Sequence, residues 1–418
     1  METQKCKGAR DLLPQDMEKF RQVEEAFLTS CLNWGYREIK TPTLEYIHLF
    51  TQAGTLTPGT LGRVYSFLDW DGWGGERVVL RPDGTIPAAR LYNENLAGQK
   101  VSRLCYITNI FAFEETGKEN REKWQCGVEL LGDSGPTSDA EIIVLALEIA
   151  KSLGISRYEL KLSHAGILKA LIEELKLNAD EREGLLDEIL DGNWQALAGA
   201  ASRDKRVAAA VSALVKLKGI SSGFLANLRS LPSISPKLKK EIDRFASVSS
   251  LLDTLACSYS IDFTSIKGFE YYTGLCFKIV SGNKKVCSGG RYDNLVGLVG
   301  GKNTPACGFA FFLDELVKLV KPWSRQKADK TVLIETDRES PSSIKACFEL
   351  AGTLRRAGLT AEFNFRGSQA DARWLVTVQD KTGSLAVKDL ISNAQKKVGS
   401  ANDVISIIGG FGKIGKQR

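Results

Sequence analysis

The sequence predicts an α+β fold: an antiparallel sheet flanked by helices, broken by a helical insertion and followed by a small α/β domain. Three observations predict it. Between residues 64 and 132 several strand-like runs follow one another closely, which suits antiparallel pairing because parallel neighbours need a long crossover. From about 165 to 256 strand-like runs become scarce and apolar residues recur at helical spacing. The last 88 residues then alternate strand, helix and strand.

The elements read in order as follows. Pro14 and Asp16 suit the first turn of a helix, Phe20, Val23, Phe27 and Cys31 share one of its faces, and Gly35 ends it. "YREIKTP" follows as a strand closed by Pro42. From 64 to 132 the chain reads as short strands and turns: "RVYSFLD" and "RVVLRPDG" as a hairpin, then "RLCYITNIFAFEE" and "WQCGVELLG". A helix is predicted from Ser138, with Glu141 in capping-box spacing, to Gly154. Leu168, Leu171, Ile172 and Leu175 mark a further helix, and Asn178 with Glu181 restarts one. Strand grammar returns in "YSIDFTSIKGFEYYTGLCFKIVSG", "KKVCSGGRYDNLV" and "ACGFAFFLDELVKLV". The expected domains are a core over 1–164 that resumes over 257–320, a helical insertion over 165–256, a polar linker over 321–330, and an α/β domain over 331–418. No internal repeat or low-complexity tract interrupts this order.

Composition narrows the function classes. Hydrophobic content of 43% and charged content of 25% suit a soluble globular protein. A net charge of +6 is mild over 418 residues, and no concentrated basic stripe argues for nucleic acid. The densest basic run, "KLKKEIDR" from Lys237, reads as a solvated helix face. Nine irregularly spaced cysteines without a CxxC pair, and only two histidines, His48 and His164, give no expectation of a metal site. With no signal peptide in view, these read as reduced thiols of a cytoplasmic protein. No apolar run approaches the roughly 20 residues of a membrane span.

Three stretches carry candidate chemistry. In "RPDGTIPAAR", Asp83 and Thr85 flank a turn at Gly84, and a carboxylate with a hydroxyl at that spacing can hold an ammonium group. Taken alone, this stretch reads more readily as an Asp-Gly hairpin turn without a ligand. In "QCGVE", Gln125, Gly127 and Glu129 share a strand face; the glycine clears space into which the polar pair reaches. An exposed strand face explains the same pattern equally well. In "KGFEYYTG" and "SGGRYD", adjacent tyrosines Tyr271 and Tyr272 and the Gly289–Gly290 pair suit a pocket around a planar ring. Aromatic strand packing is the alternative.

In this order and spacing the stretches resemble the class II aminoacyl-tRNA synthetases, and among them the histidyl-tRNA synthetases. "GARDLLP" with its helix and "GYREIKTP" looks like motif 1, the dimer-forming element; "RPDGT" through "GVELLG" looks like the motif 2 region; "IKGFEYYTG" and "GGRYD" resemble the histidine-specific signatures; "CGFAFFLDEL" looks like a degenerate motif 3. The resemblance covers about residues 8 to 320 and implies a class II synthetase-like antiparallel sheet. It places the histidine-holding side chains at Asp83, Thr85, Gln125, Glu129 and Tyr272, with Tyr271 and the Gly289–Gly290 backbone beside them. Asp83 stands where the family usually has glutamate.

The departures fall on the ATP side. Ala112, in "NIFAFEE", stands where the motif 2 arginine would grip a phosphate, and Glu115 replaces a second arginine. Glu315 stands at the motif 3 arginine, and Lys267 at the histidine-specific arginine, where a lysine does not reproduce bidentate geometry. Adenylyl transfer rests on positioning and charge stabilisation. Each lost donor raises the barrier by about 3–4 kcal/mol, so two losses slow activation about a millionfold.

A histidine-shaped pocket without adenylation machinery resembles one branch of the family, the regulatory subunits of short-form ATP phosphoribosyltransferases. The resemblance implies no catalytic residue and no cofactor in this chain. It implies a homodimer, a separate short catalytic chain as partner in the first step of histidine biosynthesis, and feedback by histidine. It leaves open whether the inhibitory histidine sits in the synthetase-like pocket or at a subunit interface. tRNA is not an expected partner. The C-terminal 88 residues resemble a shortened anticodon-binding domain, best at "LAGTLRRAGLTAEF", and keep a histidyl-tRNA synthetase variant as the alternative. A further non-catalytic synthetase paralogue is the third reading.

Overall fold

The computed structural model describes residues 5–414 apart from 57–60, 71–74, 114–119, 191, 203, 217–234, 266–271, 323–328, 365–371 and 381–383. The chain divides into two compact units, Met1–Lys321 and Pro322–Arg418.

In the first unit, helix α1 (Pro14–Asn33) starts at a proline and buries Phe20, Val23, Phe27 and Cys31, the face that its periodicity marks. Strand β1 is only Arg37–Glu38, because the chain leaves the ladder after Ile39 donates to Cys105 O; the longer "YREIKTP" strand is not formed. Strands β2 (Leu44–Tyr46), β3 (Ser66–Trp70) and β4 (Gly75–Leu80) make a separate antiparallel sheet in the order β2-β4-β3.

Residues 85–95 differ from the expected alternation of strands and turns: they form helix α2, Thr85–Asn95. The Asp83 carboxylate accepts from the Ile86 amide at 3.0 Å, so Asp-Gly here starts a helix instead of turning a hairpin. Pro87 lies in the first turn, where a missing amide proton matters least.

Strands β5 (Ser102–Phe111) and β6 (Glu122–Leu131) pair antiparallel over their whole length. Helix α3 runs Pro136–Ser152, with Gly135 as its cap, two residues earlier than predicted. Neither expected capping residue caps it. Ser138 Oγ donates to Gly135 O and accepts from Arg291, while Glu141 accepts from Arg103 and Tyr36.

Strand β7 (Glu159–His164) leads into helices α4 (Ala165–Glu174), α5 (Ala179–Leu190), α6 (Trp194–Ala201), α7 (Lys205–Lys216) and α8 (Pro236–Thr254). Asn178 and Glu181 cap α5 reciprocally, at 2.9 and 3.1 Å. His164 caps α4: its Nδ1 accepts from the Ile167 amide. The chain returns through β8 (Ser260–Ile261), β9 (Leu275–Ser281), β10 (Lys284–Arg291), β11 (Ala306–Phe312) and helix α9 (Leu313–Leu319).

The resulting eight-stranded sheet has the order β1-β5-β6-β11-β10-β9-β7-β8, antiparallel except at its two edge pairs. Helices α1 and α3 pack on it, and one continuous apolar core runs from Phe20 to Val320. The second unit is a five-stranded mixed sheet, β12 (Thr331–Thr336), β13 (Thr360–Phe363), β14 (Trp374–Val378), β15 (Leu385–Asp389) and β16 (Gln395–Val398), with helices α10 (Pro341–Arg356) and α11 (Ala401–Ile414). Its core is its own, from Val332 to Ile408. The whole is an α+β architecture. Among the described residues no helix is long and apolar enough to cross a membrane.

Candidate functional site

The three stretches singled out by sequence converge on one cleft of about 110 Å³ in the first unit. Asp83 and Thr85 reach it from the start of α2, Gln125 from β6, and Tyr272 from the turn before β9. Ser288, Tyr292, Gly308, Phe309, Ala310 and Phe312 complete the lining. The convergence follows from the register. Strand β6 pairs with β11, setting Glu129 opposite Gly308 and Gly127 opposite Ala310, and β11 pairs with β10, setting Gly308 opposite Gly290. Residues far apart in sequence are thus neighbours across two ladders.

Glu129 lies just behind the lining and is 2% exposed. It accepts hydrogen bonds from Tyr106 Oη at 2.9 Å and from Tyr292 Oη. Burial pushes its carboxyl up to about 8, against the pull of those two hydroxyls, and the nearby Asp83 charge pushes the same way. Burial likewise raises Asp83, opposed by the backbone amides that cap onto it. Burial drives both carboxyls toward the neutral form, and a ligand cation beside them would restore the charged one. Gln125 is 6% exposed, and among the described residues its carbonyl oxygen accepts no hydrogen bond. Such an orphaned buried acceptor calls for a ligand N–H. None of the described lining residues is a lysine or arginine.

The glycines act differently from the expectation. A Cβ at Gly127 would run into the Tyr106 ring, so the space it clears is filled by that tyrosine and is not open to a ligand. Gly84 makes room for the same ring. Gly308 does for Glu129 and Tyr292 what Gly127 does for Tyr106. Gly289 and Gly290 pass close under Phe309 and Tyr272, so they support the cleft without lining it.

Among the residues that escaped the sequence reading, Tyr106 and Tyr292 matter most because both donate to Glu129. Tyr292 lies inside the "GGRYD" stretch, but nothing local says that its hydroxyl turns to Glu129. Tyr106 lies at mid-strand with no turn or glycine beside it, and only the β5–β6 register reveals it.

Of the ATP-side positions, Ala112 lies just beyond the end of β5, its amide bonded to Arg121 O at 3.0 Å. Arg121 beside it stacks over Phe113 and donates to Tyr65. Glu315 is in the first turn of α9, paired with Lys318 at 2.6 Å. Glu115, Lys267 and Tyr271 lie outside the described residues.

A long antiparallel sheet with this pocket on it is the architecture of a class II synthetase-like protein. The family profile described as histidyl-tRNA synthetase matches residues 8–316. An ATP phosphoribosyltransferase regulatory subunit of Dehalococcoides mccartyi is 43% identical over 409 residues, 97% of this chain and 98% of its own. A histidine–tRNA ligase of Methanocaldococcus jannaschii is 32% identical, over 95% of this chain and 97% of its own. The solved structure of an ATP phosphoribosyltransferase regulatory subunit/histidyl-tRNA synthetase from Bacillus halodurans has a TM-score of 0.77 at 24% identity, covering 90% of this chain and 98% of that one. That likeness establishes the fold. The chain belongs to the histidyl-tRNA synthetase family, on the branch of the ATP phosphoribosyltransferase regulatory subunits. The role named on that branch is regulatory.

Proposed function

We propose that this chain is the non-catalytic regulatory subunit of a short-form ATP phosphoribosyltransferase. It activates a separate catalytic chain for the first step of histidine biosynthesis and communicates feedback by histidine. The observation that carries the reading is the cleft itself: the Asp83 carboxyl, several hydroxyls and an unpaired amide oxygen surround it, and no described cation lines it. Such a lining suits an ammonium and an imidazole N–H and repels a triphosphate.

In this reading Asp83, Thr85 and Gln125 receive the α-ammonium and Tyr272 the imidazole, with Glu129 acting through the Tyr292 hydroxyl that it holds at the cleft wall. Ala112 and Glu315 supply no grip for a phosphate, so a bound histidine is sensed and not adenylated. The subunit works in the cytoplasm as a homodimer built on α1 and the strand after it, and tRNA is not its partner.

The decisive experiment mixes the purified chain with the short phosphoribosyltransferase of the same source. Activity that depends on this chain and falls with added histidine is the expected result. Activity indifferent to this chain overturns the proposal. Titration of the chain alone with histidine separates the two candidate locations, because no heat at millimolar ligand would move the inhibitory site to a subunit interface. The full-length 32% identity to a histidine–tRNA ligase supports a second reading, a synthetase variant. ATP–pyrophosphate exchange with histidine at ordinary enzymatic rates would establish that one instead.

A further inference from the structure

The wall of the cleft that carries Tyr272 is held from outside the sheet. The Tyr272 carbonyl accepts from Lys169 Nζ at 2.7 Å, and Lys169 belongs to helix α4. Two residues on, Gly274 O accepts from the Ala165 amide, the first residue of the same helix, at 2.8 Å. Between them Gly166 lies so close that a Cβ there would stand 2.9 Å from Thr273 O and 2.5 Å from Glu241 Oε2, which is on α8. The other side of the same three residues is tied to the sheet. Thr273 N donates to Arg291 O at 2.7 Å, and the Asp293 amide donates to Thr273 Oγ1 at 2.9 Å. Arg244 of α8 reaches Asp293 at 3.8 Å and donates to Ser134 O at 2.9 Å. Residues 272–274 are therefore a strap clamped between the sheet and the helices α4 and α8, and those two helices pack on each other.

We propose that Lys169 is a positioning residue for the cleft: its ammonium fixes the Tyr272 carbonyl, and thereby the ring, so that occupancy of the cleft is coupled to the docking of α4 and α8. An ammonium-to-carbonyl bond is charge-assisted and directional enough to set a strap of three residues. The coupling is reciprocal: whatever the helices do for the ligand, the ligand does for the helices. This inference rests on histidine as the ligand of the cleft.

The test uses the full chain, with histidine as the probe. Calorimetric titration is run on the wild type, Lys169→Met and Lys169→Arg, and amide exchange of the wild type is followed with and without saturating histidine. Lys169→Met is expected to weaken histidine about tenfold, the equivalent of one charge-assisted hydrogen bond, and Lys169→Arg to restore it to within about threefold. Histidine is expected to slow exchange over 165–174 and 236–254. A purely structural lysine would not show rescue by arginine together with ligand-dependent protection of its own helix. Wild-type affinity in a folded Lys169→Met chain overturns the inference. So does binding of histidine without any change of exchange in α4, a result that leaves the histidine reading intact and needs no variant to fold. No heat from the wild type removes histidine from the cleft, and this inference with it.

Discussion

Glu129 is held between two tyrosine hydroxyls in a space that admits no Cβ on the facing strand. Its carboxyl is pushed from the usual 4.5 up to about 8, so in that window the folded chain holds a proton that the unfolded chain has lost. The stability gained by keeping Glu129 neutral is complete below the ordinary value and declines as pH rises through about 8. Urea unfolding of wild type and Glu129→Gln at pH 5, 6.5 and 8 checks this: the wild type should lose stability relative to the variant as pH rises. A constant difference between the two would mean that Glu129 is already ionised at pH 5. Gly308 gives a second residue-scale prediction. Gly308→Ala would press a methyl into Val128 O and Glu129 and stand 2.8 Å from Tyr292 Oη. We expect a loss of about 1–3 kcal/mol, as for an overpacked core, and loss of histidine binding by titration. At this scale the residue types of the cleft were legible in sequence, because carboxylates and hydroxyls beside glycines at strand ends have a recognisable chemistry. The partners of Glu129 were not, since a hydroxyl's direction depends on a register that no local pattern encodes.

Elements show where local rules were overruled. Asp-Gly is a strong hairpin signal, yet here it opens α2, because Pro87 and the alanines after it favour a helix and Asp83 caps its first turn. The start of α3 departs from its local capping signal for a different reason. Arg291, wholly buried, donates to Ser138, to Asp139 at 2.9 Å, to Asp293 at 3.0 Å and to Asp133 O at 3.0 Å. It ties the end of β10 to the first turn of α3 and takes the serine that would otherwise cap. Arg291→Met leaves Asp139 buried without its cation, and we expect a loss of about 3–5 kcal/mol, read as a lowered denaturant midpoint. An unchanged midpoint would show that α3 is anchored by its apolar face alone. Periodic elements such as α1 needed no such help, because an apolar stripe can be satisfied by any core that forms beside it.

The molecule as a whole has two separate cores, one ending at Val320 and one beginning at Val332. A chain ending at Lys321 should therefore unfold cooperatively and bind histidine as the full chain does, by calorimetric scan and titration. Failure of the short chain to fold would make the second unit part of the first unit's stability. The second unit does not in itself favour a synthetase, because a regulatory subunit from D. mccartyi aligns over 97% of this chain and 98% of its own length. The amino-acid sequence by itself determined the α+β class, the strand-poor stretch in the middle and the types of group around the cleft, because periodicity, turn chemistry and residue type are short-range properties. Only the tertiary structure decided that Tyr106 fills the space beside Gly127, that Glu129 is clasped by two tyrosines, and that Lys169 reaches across to the cleft wall. Those are pairings between residues from 21 to 163 positions apart, set by ladder register and helix docking, and no window along the chain contains both partners.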